Sequence, residues 1–142
     1  MRARGQTIIG YVGDMGQHDG LDYLLRSLHQ LVYTLGRTDV YAVLIGRGNA
    51  WESLQTLAHQ LKLSEYVWFT GWVTNEALLR YLASTDICVD PDPYNSFTDR
   101  SSMIKMTEYM AMGKPIVAFD LTEHRASAQD AALYARPNDE AY

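Results

Sequence analysis

The sequence predicts a doubly wound α/β domain, a parallel sheet with helices packed on both faces. Three observations carry that prediction. Short runs of unbroken apolar residues recur along the chain, as expected of strands buried on both faces. Between them lie longer segments whose apolar residues repeat at helical spacing. Glycine or Asp-Pro closes most of the runs, where such folds turn from strand to helix. The 142 residues suffice for one domain with one core and are too few for two ordinary ones.

The elements follow in order. Thr7–Val12 is a β-rich run leading into glycines, and Leu21, Leu24, Leu25, Leu28, Leu31, Val32 and Leu35 mark a helix from Leu21 to Leu35. Val40–Ile45 is a fully apolar strand ended by Gly46-Arg47-Gly48, and Trp51, Leu54, Leu57, Ala58 and Leu61 mark the next helix. Val67-Trp68-Phe69 is a strand, and Thr74 or Asn75 caps a helix with Leu78, Leu79 and Leu82. Ile87-Cys88-Val89 is closed by Asp90-Pro91. Ser101 and Ser102 then precede a helix that ends near Met112, with Gly113 in the usual stop position. Pro115–Phe119 is a strand, Glu123–Ser127 a short helix, and Ala132-Leu133-Tyr134 a last short strand.

Composition sets limits on function. Hydrophobic residues make up 47% and charged residues 20%, the balance of a globular protein rather than a disordered one. A net charge of −5 argues against a nucleic-acid binder, which would present a basic face. The single cysteine, Cys88, cannot form an internal disulfide and fits a reducing compartment. No apolar stretch follows Met1-Arg2-Ala3-Arg4 as in a signal peptide, and no run has the length of a membrane span. The expected location is the cytoplasm.

Open parallel sheets bind ligands beyond the carboxyl ends of their strands. Four loops fall there: Gly13–Gly20, Gly46–Asn49, Gly71–Thr74 and Asp90–Ser102. Gly10, Gly13, Gly16 and Gly20 read either as a cradle that lets backbone approach a phosphate or as a tight turn. They do not match the G-x-G-x-x-G fingerprint of dinucleotide binding. Gly46-Arg47-Gly48 is open to the same two readings. In the helix after Ser102, Ser101, Lys105, Glu108 and Met112 share one face, and Met103, Met106 and Met110 share the opposite, core-facing one. A polar stripe of this kind is commonly a solvated surface. This one starts at the crevice end of its helix, which makes it a candidate binding face. His18, His29, His59 and His124 have no metal-ligand spacing and read mostly as surface residues, although His18 lies in the glycine loop. Neither the serines nor the histidines form a nucleophile elbow or a triad.

Glu108-Tyr109-Met110-Ala111-Met112-Gly113-Lys114-Pro115-Ile116-Val117-Ala118 resembles the signature of the group-one, or family-four, retaining GT-B glycosyltransferases. Four further stretches resemble that family in order: Tyr11-Val12-Gly13 with Asp19-Gly20-Leu21, Val43–Gly48, Val67–Val73 and Ala83–Pro91. Together they cover Ile8 to Asn138, nearly the whole chain. The resemblance implies a Rossmann-like, C-terminal donor-binding domain that grips a nucleotide-diphosphate sugar, with an N-terminal acceptor-binding domain as its partner in the full-length protein. It implies that Glu108 binds the ribose hydroxyls, that the backbone of Ser101, Ser102 and Met103 holds the diphosphate, and that Trp72 and Val73 border the base. Gly13, Asp14 and Gly16 would face the reacting sugar, with Arg47, Arg100 and Lys105 as further donor contacts. The family is generally metal-independent, so the resemblance implies no metal and no cofactor beyond the donor itself. Any membrane contact would belong to the other domain.

The chain also departs from the family pattern. Asp14 and Asp19 stand where the first loop usually carries Arg and Lys, and Arg100 stands where a glutamate usually precedes Glu108 by eight positions. Asp99 is adjacent to Arg100, and either is a candidate for the missing catalytic-side group. A branch that reads Ser-x-x-Lys-x-x-Glu-Tyr-Met-Ala is more similar, and there Lys105 is part of the pattern. The alternative reading is a non-catalytic α/β module, nucleotide-binding or receiver-like, because receiver domains place acids after the first strand as Asp14 is placed here.

Overall fold

The computed structural model describes residues 5–100 and 104–138. Six strands, β1 (Thr7–Val12), β2 (Val40–Ile45), β3 (Val67–Gly71), β4 (Ile87–Asp90), β5 (Ile116–Phe119) and β6 (Ala132–Ala135), form one sheet in the order β3-β2-β1-β4-β5-β6. Every neighbouring pair is parallel. The helices are α1 (Leu21–His29), α2 (Trp51–Gln60), α3 (Asn75–Ser84), α4 (Ile104–Ala111) and α5 (Thr122–Ala128). The chain starts mid-sheet and builds outward in one direction through β3, then returns to build outward in the other from β4. The topological switch point therefore lies between β1 and β4.

Alternation along the strands sends residues to two cores. Tyr11, Leu44 and Val89 join Leu21, Leu25 and Leu28 of α1 and Leu54 of α2 in one cluster. Ile8, Val12, Val43, Ile45 and Cys88 join Leu82 of α3 with Met106 and Tyr109 of α4 in the other. Both sheet faces are thus packed at β1, β2 and β4, which is why these strands read as unbroken apolar runs.

One expected helix is not regular. The run to Leu35 is α-helical only to His29, and Gln30–Thr34 is a wider π turn. Leu35 N–H bonds back five residues to the Gln30 carbonyl at 3.0 Å. The wider turn puts the apolar repeat out of phase, so Val32 stays buried while Leu35 is 68% exposed. At Thr74 the sequence reading holds: its hydroxyl accepts the Ala77 N–H at 3.2 Å and caps α3. The other end of α3 is closed from a distance, because Lys114 Nζ donates to the Ala83 and Thr85 carbonyls at 2.8 Å each.

The glycines settle largely as packing devices. Gly20 is left-handed (φ 69°) at the start of α1, and a Cβ there would lie 1.8 Å from the Pro91 carbonyl oxygen. A Cβ on Gly46 (φ 124°) would lie 2.1 Å from the Gly13 carbonyl oxygen. The loops beyond β1, β2 and β4 are therefore pressed together backbone to backbone, with no space for a side chain. Among the described residues, no helix is long and apolar enough to cross a membrane.

Candidate functional site

A cleft of about 730 Å³ opens beyond the carboxyl ends of the strands at the switch point. That is the volume range of small-molecule sites. The loop after β1 contributes Gly13, Asp14, His18 and Asp19, and the segment after β3 contributes Trp72 and Val73. The loop after β4 contributes Asp92, Phe97 and Thr98, and α4 contributes Ile104, Lys105 and Glu108. A smaller apolar groove of about 210 Å³ lies against α1 and the middle of the sheet, and no ionisable side chain lines it.

The cleft has an apolar wall and an acidic floor. Trp72, Phe97 and Ile104 line it while 72–76% exposed, so three large apolar side chains face its open space. Glu108 is exposed at its edge. Of the anticipated donor contacts, the structure brings together Gly13, Asp14, Trp72, Val73, Lys105 and Glu108. Arg47, Arg100 and Gly16 are not among the lining residues. The Arg47 guanidinium lies over the Trp51 ring at 5.2 Å. The Gly16 N–H donates to Asp19 Oδ2 at 2.6 Å, so that loop donor is engaged within the protein. Arg100 is exposed on the short turn Thr98–Arg100. Ser101, Ser102 and Met103 lie outside the described residues.

Two expectations change. Asp99, a candidate for the catalytic side, accepts the Thr122 N–H at 2.7 Å and the Thr122 hydroxyl at 2.9 Å. It caps α5, which occupies both its oxygens. His124, read as a surface residue, is fully buried. Its Nδ1 donates to the Phe119 carbonyl at 2.7 Å, and its Nε2 lies 3.4 Å from Asp90 Oδ2, an ion pair rather than an aligned hydrogen bond.

Behind the cleft these groups form a charged tetrad. Lys105 Nζ bonds to both oxygens of Asp92, at 3.1 and 3.3 Å, and lies 3.5 Å from Asp90 Oδ1. It also sits 5.1 Å from the centre of the buried Tyr11 ring. Asp90, Asp92 and His124 place possible ligand atoms within 4.8 Å of one another, but the cation these carboxylates hold is the Lys105 ammonium. Lys105, anticipated as a donor contact, lines the cleft while paired with two carboxylates. Burial would push each of these groups toward its neutral form, and the partners decide the outcome. For Lys105 burial is outweighed by Asp90, Tyr11 and Asp92, and its pKa rises. For His124 burial is outweighed by Asp90, and its pKa also rises. For Asp90 the same opposition, against His124 and Lys105, leaves the pKa below the ordinary carboxylate value. Asp92 differs: burial and then the Asp90 charge push it up to about 7 despite Lys105.

The sequence reading missed Tyr109. It is fully buried, and its hydroxyl accepts the Val12 N–H and donates to the Val89 carbonyl, both at 3.1 Å. Strands β1 and β4 pair only at Ile9–Ile87 and Gly10–Cys88, and the tyrosine closes the gap where they diverge. It sits one residue after Glu108 and pins that end of α4 to the switch point.

Comparison with known proteins decides the family. The model of the group 1 glycosyl transferases matches residues 6–142. The chain belongs to the group 1 glycosyltransferases. It is 30% identical over 112 residues to an uncharacterized glycosyltransferase of Methanocaldococcus jannaschii, a match covering 79% of this chain and 27% of that protein. Its fold is similar to a variant of S. aureus TarM solved with UDP, at a TM-score of 0.77 and 18% identity, covering 96% of this chain and 27% of TarM. It is equally similar to Anabaena HepE solved with UDP and glucose, at 0.77 and 18%, covering 96% of this chain and 36% of HepE. The chain thus spans between a quarter and two fifths of the length of these relatives. The receiver-like reading falls on topology, since receivers order their strands 2-1-3-4-5.

Proposed function

We propose that this chain is the donor-binding half of a retaining, hexosyl-transferring enzyme. In this reading it holds a nucleotide-diphosphate sugar while an acceptor-binding domain of the same protein presents the acceptor from across the cleft. The observation that carries the reading is the composition of the switch-point cleft, an aromatic and aliphatic wall facing an exposed carboxylate. Trp72 and Phe97 offer ring faces for a base, and Glu108 offers two acceptors for a pair of ribose hydroxyls. The diphosphate then lies toward the start of α4, where helix N–H groups and Arg100 are available to the charge that develops on the leaving group. Gly13 and Asp14 face the sugar. The reaction needs no metal in this reading, and its setting is the cytoplasm.

The test is titration calorimetry with UDP on the wild type and on Glu108→Gln. The substitution keeps the shape and loses a charge-assisted hydrogen bond of about 1.5–3 kcal/mol. The expected loss of affinity is roughly tenfold to a hundredfold. Equal affinities would remove Glu108 from the site.

A further inference from the structure

The cleft floor carries more negative charge than a site for an anion should. Asp14, Asp19, Asp92 and Glu108 line the same space as Lys105, and the Lys105 ammonium already serves two carboxylates. His124 shows how the charge is shared. Its Nδ1 bears the proton donated to the Phe119 carbonyl. A lone pair on Nε2 would then face a carboxylate oxygen 3.4 Å away, so Nε2 carries a proton as well. Asp90, fully buried, therefore has two cationic neighbours, His124 from α5 and Lys105 from α4. Asp92 is bonded directly to Lys105, which it shares with Asp90, and meets His124 only within 4.8 Å, without an ion pair of its own. Of its remaining titratable neighbours, Tyr11 of β1 lies under the ammonium, and Asp90 and Asp19 of the glycine loop add negative charge. Of the four members, Asp92 is the carboxylate least compensated, and it lines the cleft while only 2% exposed.

A diphosphate placed over Lys105 would bring further negative charge against a water-poor floor. Ionised groups of like sign at such range cannot all stay charged. Resting on the donor reading above, we propose that Asp92 is the proton site of the donor cleft, taking a proton from solvent as a nucleotide diphosphate settles over Lys105. The protonated carboxyl no longer repels the phosphate and can donate a hydrogen bond to it, and the Lys105 ammonium is released toward the ligand. No covalent bond changes; one proton moves from solvent to a carboxylate oxygen. Asp92 is well placed for this, because burial and Asp90 already hold its titration near neutral pH.

The experiment is calorimetry of UDP binding at pH 7.5 in two buffers of different ionisation heat, which counts protons taken up. Wild type should take up about half a proton or more per UDP beyond the count for Asp92→Asn, a difference that cancels the titration of UDP's own phosphate. Between pH 7 and 8.5 wild-type affinity should fall by up to about tenfold per pH unit more than the variant's. Equal proton counts in the two proteins would overturn the proposal and leave the donor reading standing. Absence of UDP binding in every buffer would overturn both. Should Asp92→Asn not fold, carbon NMR of the Asp92 carboxyl in wild type decides: UDP must raise its titration midpoint, and an unchanged midpoint overturns the coupling.

Discussion

His124 shows at the residue scale how far a sequence reading reaches. Its spacing from the other histidines carries no metal-ligand pattern, and nothing local marks it as buried, because its partner Asp90 is 34 positions away on another element. The burial has a consequence for stability. His124 has a folded pKa above its unfolded one, so its contribution is present below about 6.5 and is lost as pH rises through the folded value. Asp92 titrates near 7 in the fold against an ordinary 3.8, so the folded state binds more protons across that window and stability again falls as pH rises. Asp90, shifted the other way, acts below its ordinary value and so outside this range. Stability should therefore decline in denaturant titrations as pH rises from about 4 to about 7, with His124 extending the decline above 6.5, and Asp92→Asn should flatten the part below 7. A wild-type profile that rises over this range would contradict the tetrad.

At the scale of elements, the strands were legible and the geometry at their ends was not. Continuous apolar runs need only local composition, and β1 and β2 fall on Thr7–Val12 and Val40–Ile45 as expected. The π turn after His29 puts the apolar repeat out of phase, so the repeat alone placed Leu35 in the core. The cleft was legible as four loops and a helix face. Which polar groups are free to meet a ligand was not, because Asp99, Lys105 and Gly16 are engaged by distant partners or by a tight turn. Tyr109 belongs to this scale too, since it joins α4 to both strands at the switch point. Tyr109→Phe keeps the ring and leaves the Val12 N–H and Val89 carbonyl without their shared hydroxyl. Unpaired buried groups of this kind cost about 1–3 kcal/mol, measurable as a lower denaturation midpoint. UDP affinity should fall as well, because the same helix carries Glu108. A variant as stable as wild type would mean that water replaces the hydroxyl there.

For the whole molecule, the question is what a donor half can do alone. The cleft is open to solvent, and the chain spans only 27% of its M. jannaschii relative. Sugar transfer needs an acceptor hydroxyl held in line with the anomeric carbon and water kept away from it. Binding makes smaller demands, since base, ribose and diphosphate can all be held from one wall. The 142-residue chain should therefore gain stability from UDP, by about 2.7 kcal/mol at a hundred times its Kd. It should transfer no sugar to any acceptor under the same conditions. A thermal melt with and without UDP, beside a transfer assay with a labelled donor sugar, separates the two demands. Steady turnover by the pure chain would show that the cleft needs no second wall, and the division of labour proposed between donor and acceptor domains would fall.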